Sequence, residues 1–497
     1  MLLRYAQHVS DGHGIVWNIG EAPVDGSTDF LDMLAVAGVT RTGVGLETAA
    51  KAVGLASHVL CVLFVYAAVR RGTGAPPMLA LVPATYLAVG PGLRYVSASY
   101  GTTLFALIVA AGWWVARRLM AASGPEVRRL ALGLGLCGVA MGMARPEGAF
   151  LALFFLGAVF VGRGGANTVD VAVGFAIGFG ALGLAYFCWR WTYFGHPLPN
   201  PFYRLGGGVL HPDVLARSAR NVLRLGGVFL ILLFAGLMRK ESRRLALAVM
   251  VPVLLFTALW VFLSDETNYY MRYRYPILPV ILIGAAEVGA VLASAPAAAP
   301  LRRMSRALVS LAAVASIAVL IVVQHRQLRH IEPRRMGLFD VARRLDPYRG
   351  KGYTLATTEA GLLPLYSQWR SIDAWGLNDS WIAQHGVVTA EYLDRYRPEL
   401  VMFHAYFSPE SPRDKLASRR GLGRAWDDTV RALQSYAEER GYELAAVFAR
   451  GPHESHYYYV RRGFLDHDAI VAAVRVGDYE WDGQPAADLT PAAIAAQ

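Results

Sequence analysis

The stretch RLALGLGLCGVAMGMARPEGAFLALFFLGAVFVGR, residues 129–163, begins and ends on arginine and carries an Arg-Pro-Glu-Gly turn in its middle. Its two flanks, 129–144 and 147–162, are apolar and close to the ~20 residues that a helix needs to cross a bilayer. Read as a membrane hairpin, the stretch puts Arg129 and Arg163 at one face and Arg145 with Glu147 at the other. Comparable apolar runs lie at 48–69, 76–93, 98–116, 169–189, 221–238, 244–263, 275–294 and 306–324, which makes ten predicted spans. The second of these holds Pro83, Gly90, Pro91 and Gly92 and is predicted to be kinked or re-entrant.

Composition agrees with a polytopic membrane protein. Of 497 residues, 55% are apolar and only 17% charged, which excludes a disordered chain and an ordinary cytosolic enzyme. Cys61, Cys137 and Cys188 are too few for a disulfide framework, and each lies in or at the end of an apolar run, where packing is the simplest role.

Charge sets the expected sidedness. Alternate loops carry Arg70 and Arg71; Arg117, Arg118, Arg128 and Arg129; Arg163; Arg239, Lys240, Arg243 and Arg244; and Arg302, Arg303 and Arg306. Basic residues near helix ends mark the cytoplasmic face. The opposite side gathers Asp11, Glu21, Asp25, Asp29, Asp32, Glu47, Asp265 and Glu266, along with Arg145, Arg190, Arg204, Arg272 and Arg274. Ten spans then put both termini outside. Residues 1–46 form a polar extracytoplasmic loop without an apolar segment to carry it across, which points to a span upstream of Met1. The net charge of +11 reports this topology and does not call for a nucleic-acid partner.

The helical region is expected to cover 47–324. Beyond it, charges become frequent, and 325–482 reads as a soluble α/β domain on the extracytoplasmic side. Tyr353 to Thr357, Leu400 to His404 and Tyr457 to Val460 look like strands. Asp427 to Arg440, with Val430, Leu433 and Ala437 on one face and Gly441 after it, looks like an amphipathic helix. The Ala- and Pro-rich tail 483–497 is expected to be disordered.

Some patterns imitate chemistry. Gly133, Gly135 and Gly138 have the spacing of a dinucleotide fingerprint but lie inside a span with no strand before them, where small residues let helices approach, as do Gly174 and Gly178. His453 and His456, in His-Glu-Ser-His, lack zinc-helix spacing and read as a solvated turn. No metal cluster, nucleophile elbow or Walker loop is read, and no cofactor is expected.

Four polar clusters converge on the outward side. The first, in the N-terminal loop, includes Arg4, Asn18, Asp25 and Trp17; its mix of carboxylates, glycines and aromatics suits a carbohydrate, while composition alone favours a solvated loop with glycine turns. The second is Arg145-Pro146-Glu147-Gly148, whose charges belong at the interface or in a wet cavity. The third, Tyr193 to Arg204, is stiffened by Pro197, Pro199 and Pro201 and offers Asn200 and Tyr203. In the fourth, Arg272 and Arg274 enter a span just before Pro276 and Pro279, where guanidinium groups either anchor the interface or hold a phosphate.

The order of these motifs resembles the GT-C glycosyltransferases that use polyprenyl-phosphate sugars, and within them the mycobacterial cell-wall arabinofuranosyltransferase branch. The resemblance rests on Arg4-Tyr5-Ala6, Gly12-His13-Gly14, Trp17-Asn18, Gly20-Glu21, Gly26-Ser27-Thr28, Arg145-Pro146-Glu147-Gly148, Pro197-Leu198-Pro199-Asn200, Phe202-Tyr203 and Arg272. It continues through Glu359-Ala360-Gly361, Tyr366-Ser367, Asp373 and Gly376-Leu377, so it spans about residues 1–380. The departures are Gly101, where relatives often carry an acid, and His196, where an acid is more usual. The acidic pair that precedes the Arg-Tyr-Ala stretch in relatives would here fall upstream of Met1.

The resemblance implies a GT-C-like bundle in the inner membrane that moves a sugar from a polyprenyl-phosphate donor to a cell-envelope glycan or lipid acceptor. It assigns phosphate contact to Arg272, Arg145 and Arg4, and sugar or acceptor contact to Asn18, Asp25, Asn200 and Tyr203. Asp25 and Glu147 are the substitute general bases within the chain. A transporter or flippase, and a relative that binds glycan or lipid without turnover, are the rival readings.

Overall fold

The computed structural model describes residues 1–74, 77–265, 267–294, 311, 314–323, 325 and 326, 337–411, 423–481 and 484–491. The chain forms two compact units. One comprises Thr28–Pro197 and Gly208–Leu328, the other Met1–Ser27, Leu198–Gly207 and Arg329–Gln497.

The first unit is helical. Among the described residues, seven helices are long and apolar enough to cross a membrane: Leu46–Thr73, Thr102–Ala121, Glu126–Ala144, Thr168–Phe194, Pro212–Leu237, Lys240–Leu259 and Tyr269–Ser294. The chain is therefore a multi-pass membrane protein. The remaining predicted spans differ for local reasons. Glu147–Arg163 is a single 17-residue helix, just under a full crossing length. The run with Pro83 breaks into Pro77–Ala88 and Gly92–Ser97, because Gly90 and Pro91 stop the first helix. Of the predicted span 306–324, Leu311 and Val314–Val323 are helical and the rest lies outside the described residues.

Helix ends follow ordinary signals. Glu147–Arg163 starts after Pro146, has Glu147 in its first turn and Arg163 in its last, and stops at Gly164 with φ of 62°. Acid near the N-terminus and base near the C-terminus both complement the helix dipole. The glycine pattern serves packing. A Cβ at Gly135 would lie 2.6 Å from Phe179 N and 2.7 Å from Phe175 O, so Glu126–Ala144 and Thr168–Phe194 touch backbone to backbone. Large apolar side chains such as Ile177, Leu184 and Trp191 stay exposed, as lipid-facing residues do.

Among the described residues, three of the arginine-rich turns of this unit contact one another. Arg163 Nε donates to Ala166 O and its Nη1 to Leu119 O and Ala122 O, while Arg244 Nε donates to Val161 O at 3.1 Å. The helices therefore alternate between a basic end and an end that carries Asp29, Arg145 and Arg272.

The second unit is α/β. Its six-stranded sheet comprises β1 (Thr354–Thr357), β2 (Arg370–Asp373), β3 (Leu400–Ala405), β4 (Glu443–Ala449), β5 (Ser455–Val460) and β8 (Ala487–Asp488), in the order β2-β1-β3-β5-β4-β8. Strands β6 (Glu480–Trp481) and β7 (Gln484–Pro485) pair separately. Strands β2, β1 and β3 run parallel, and β5, β4 and β8 join antiparallel. Alternation along the strands fills a core on each face. Val401, Phe403, Tyr457 and Tyr459 meet Val430, Leu433 and Ala437 of helix Gly423–Glu439 on one side. On the other, Leu400, Met402, Tyr458 and Val460 meet Val341 and Ala342 of helix Gly337–Leu345 and Ile470 and Val474 of His467–Val474.

Three local readings are corrected here. Residues 1–46 are not simply loop, since Leu2–Ser10 and Phe30–Thr40 are helices. The tail expected to be disordered from 483 contributes β7 and β8, with Leu489 and Thr490 buried; residues 483 and 492–497 lie outside the described residues. His456 is not in a solvated turn but lies buried within β5.

Candidate active site

In the helical unit, the Arg145-Pro146-Glu147 turn and the first turn of helix Phe30–Thr40 bring charged groups together. Arg145 is buried where one helix ends and the next begins. Its Nε pairs with Glu147 Oε1 at 2.6 Å, and its Nη1 pairs with Asp29. The guanidinium also lies 5.0 Å from the centroid of the Tyr273 ring.

Arg272 lies 5.0 Å from the same ring, 4.3 Å from Tyr100 and 5.8 Å from Tyr269. The structure thus brings Arg145, Glu147 and Arg272 together around Tyr273. Unlike Arg145, Arg272 has no carboxylate partner among the described residues, and its buried Nε has no acceptor. Aromatic faces offset part of the cost of burying a cation, but they accept no strong hydrogen bond. Its neighbour Arg274 pairs with Asp265 at 3.3 Å and donates to Ser218 at 3.0 Å, so it belongs to a separate, packed contact.

Two carboxylates in this cluster were not among the predicted site residues. Asp29 flanks the start of helix Phe30–Thr40 and Asp32 follows one turn later, on the same side. Both face Gly101, where an added Cβ would stand 2.8 Å from Asp32 Cβ and 3.1 Å from Asp29 Cβ. Gly101 therefore packs against two acids from another segment. Asp32 is buried, with no ion pair among the described residues. Burial, with the nearby Asp29 adding to it, pushes its carboxyl up to about 7. The sequence signal was the i, i+3 spacing of the acids at a helix start, which emerges only once Phe30 is recognised as the first helical residue.

The other predicted site residues lie in the α/β unit. Arg4 is buried and uses four of its five N–H groups: Nε to Trp17 O at 2.7 Å, Nη1 to Pro364 O, and Nη2 to Asn18 Oδ1 at 3.1 Å and Trp369 O at 2.9 Å. Burial pulls its pKa down to about 10, still a cation at neutral pH. Asn18 Oδ1 accepts from Ser371 N at 2.9 Å while its Nδ2 donates to Ser371 O at 3.1 Å. An amide side chain thereby stands in for a neighbouring peptide on β2, which is the free edge of the sheet.

Asp25 is buried, and its carbonyl accepts from Asn200 N at 2.9 Å; Asn200 Nδ2 donates to Ser380 Oγ at 3.3 Å. Tyr203 is half-buried beside Phe202. These residues knit the N-terminal segment and the 198–207 segment into the α/β unit.

Comparison with known proteins adds the following. A family model described only as a domain of unknown function, DUF8728, matches residues 321–464. No curated protein matches. The structure of ArnT from Cupriavidus metallidurans in the apo state is similar, with a TM-score of 0.53 at 14% identity, covering 92% of each chain. The same protein bound to undecaprenyl phosphate gives a TM-score of 0.53 at 15% identity, again over 92% of each. At such identity the likeness speaks to fold. It bears out a polytopic, GT-C-like helical membrane protein with a C-terminal α/β domain.

Proposed function

We propose that this chain is an integral membrane glycosyltransferase that moves a sugar from a polyprenyl phosphate to a cell-envelope glycan or lipid acceptor. The reaction takes place at the outer face of the inner membrane. One observation carries the reading: Arg272 is a partly buried guanidinium whose buried Nε has no acceptor and which has no carboxylate partner among the described residues, beside an Arg145 whose own charge is already met by Asp29 and Glu147. A lipid phosphate supplies the anion that Arg272 lacks, held by charge-assisted bonds. That a structural neighbour binds undecaprenyl phosphate supports the same ligand class. The arabinofuranosyl character of the sugar rests on the sequence motifs alone.

In this reading the bond between the anomeric carbon and the phosphate oxygen breaks, and its electron pair goes to the phosphate that Arg272 and Arg145 stabilise. The acceptor oxygen bonds to the same carbon and gives its proton to Asp32. A base with a pKa near 7 is suited to that transfer at neutral pH. Asp29 and Glu147 hold Arg145 in place, and Glu147 is thereby less suited as the base than Asp32. Arg4, Asn18, Asp25 and Asn200 act as fold-holding residues.

The test is transfer of radiolabelled sugar from a polyprenyl-phosphate donor to acceptor glycan in proteoliposomes. Loss of transfer in Arg272→Ala at unchanged folding supports the assignment. Wild-type turnover in that variant, or donor movement across the bilayer without transfer, overturns it.

A further inference from the structure

The α/β unit contains a second group of chemistry-bearing side chains that this function does not use. His404 of β3 and His456 of β5 are directly paired in register, on one face of the sheet. Glu359 follows the end of β1, the strand next to β3. Parallel strands β1 and β3 thus deliver Glu359 and His404 at their carboxyl ends, the usual place for ligands in such sheets. The start of antiparallel β5 brings His456 alongside. One donor atom from each of the three lies within 4.8 Å of the others.

We propose that Glu359, His404 and His456 bind a divalent cation of the zinc class, with a fourth position left for water or another oxygen donor. The distances suit this better than they suit a plain ion pair. His404 Nδ1 lies 3.4 Å from Glu359 Oε1, which is long for a charge-assisted hydrogen bond. It matches the edge of about 3.3 Å between two ligands on a tetrahedral zinc with bonds near 2.0–2.1 Å.

Each imidazole also has an outer partner. His404 Nε2 is 3.1 Å from Glu454 Oε1, and His456 Nδ1 is 2.7 Å from Tyr479 Oη, which in turn is 3.0 Å from Tyr458 Oη. Metal-bound histidines are oriented in this way, with one nitrogen held by an oxygen and the other facing the ion. The Trp481 ring stacks on His456 at 3.6 Å and meets the His404 ring edge-on at 5.0 Å, so neither ring is loosely placed. Two imidazoles and one carboxylate form a donor set for zinc or a similar transition metal, not for calcium or magnesium, which take oxygen.

Occupancy requires neutral imidazoles.

The experiment uses the full chain in detergent, purified without a polyhistidine tag and stripped with a chelator. Titration with zinc should show one equivalent bound, and the cobalt-loaded form should show the visible absorption of a tetrahedral ion. Glu359→Gln and His404→Gln should each weaken zinc binding by more than the roughly 10–100-fold that loss of an outer-shell partner costs, and Glu454→Gln should fall within that range. Glu359 and His404 are only partly buried, so these variants keep the test open where His456→Ala fails to fold. A wild-type chain that retains no zinc, or Glu359→Gln and His404→Gln variants that bind it as the wild type does, would reduce the group to an ion-pair network around a protonated His404.

Discussion

Arg4 and Asp373 in the α/β unit and Arg272 and Asp32 in the helical unit are charged groups withdrawn wholly or partly from water, and the two units treat them in opposite ways. In the α/β unit, Arg4 donates to three carbonyls and the Asn18 side chain. Asp373 accepts from Trp375 N, Gly376 N, Asn378 N and Asn378 Nδ2, so even with burial pushing its carboxyl up to about 6 it is fully held. In the helical unit, Arg272 faces aromatic rings with an unpaired Nε, and Asp32 has no ion pair among the described residues. A buried charge that is saturated has been used up by folding, while one left unsaturated costs stability and awaits a partner.

The largest effect expected from this contrast is at Asp32. Asp32→Asn should slow transfer by ~10²–10⁴ if the carboxylate is the base. In the wild type the rate should rise with pH through about 7, as the carboxyl loses its proton, and the variant should lose that limb. A pH profile that keeps the limb in the variant would move the base elsewhere.

Next comes Arg272→Ala, with an expected loss of ~10²–10³ in turnover. Arg272→Lys should recover only part, because a point charge lacks the guanidinium fork. Arg4→Ala reverses the pattern. Three buried carbonyls lose their donor, which should cost the α/β unit on the order of 3 kcal/mol in chemical denaturation, while turnover per folded molecule stays at the wild-type level. A turnover loss at wild-type stability would contradict the structural role assigned to Arg4.

The smallest pair of effects sharpens the comparison with glycines. A Cβ at Gly26 would meet Asn378 Oδ1, as well as Tyr5 Oη at 2.6 Å and Leu377 O at 2.8 Å, so Gly26→Ala should destabilise the α/β unit by about 1–3 kcal/mol. At Gly101 the same methyl presses on Asp29 and Asp32. Gly101→Ala should therefore show in the rate, by up to ~10²-fold, more than in the melting curve.

Much of the fold was legible because a bilayer imposes a length that a reader can count, and because arginine marks one face of it. The hairpin 129–163 appears where its charges placed it, as helices Glu126–Ala144 and Glu147–Arg163. Strands β1, β3 and β5 were visible as short apolar runs bounded by turns. Arg145, Glu147 and Arg272 stood out as charges in apolar surroundings. Arg4 and Asn18 did not reveal their role, because the partners that absorb them, Pro364, Trp369 and Ser371, lie some 350 residues away in the chain. Asp29 and Asp32 were seen as outward-side acids but not as a pair, since the helix that aligns them starts inside a glycine-rich segment. His456 looked solvated because its burial depends on Trp481 and Tyr479, which belong to a stretch with no local tie to it.

The amide of Asn18 and the indole of Trp17, both bonded to Ser371, make the first 27 residues a guard for an otherwise open β edge. A fragment cut to begin near residue 329 would leave that edge bare and should self-associate. A synthetic peptide of the missing segment, added in trans, should restore a monodisperse fragment by filling the place of the absent neighbour.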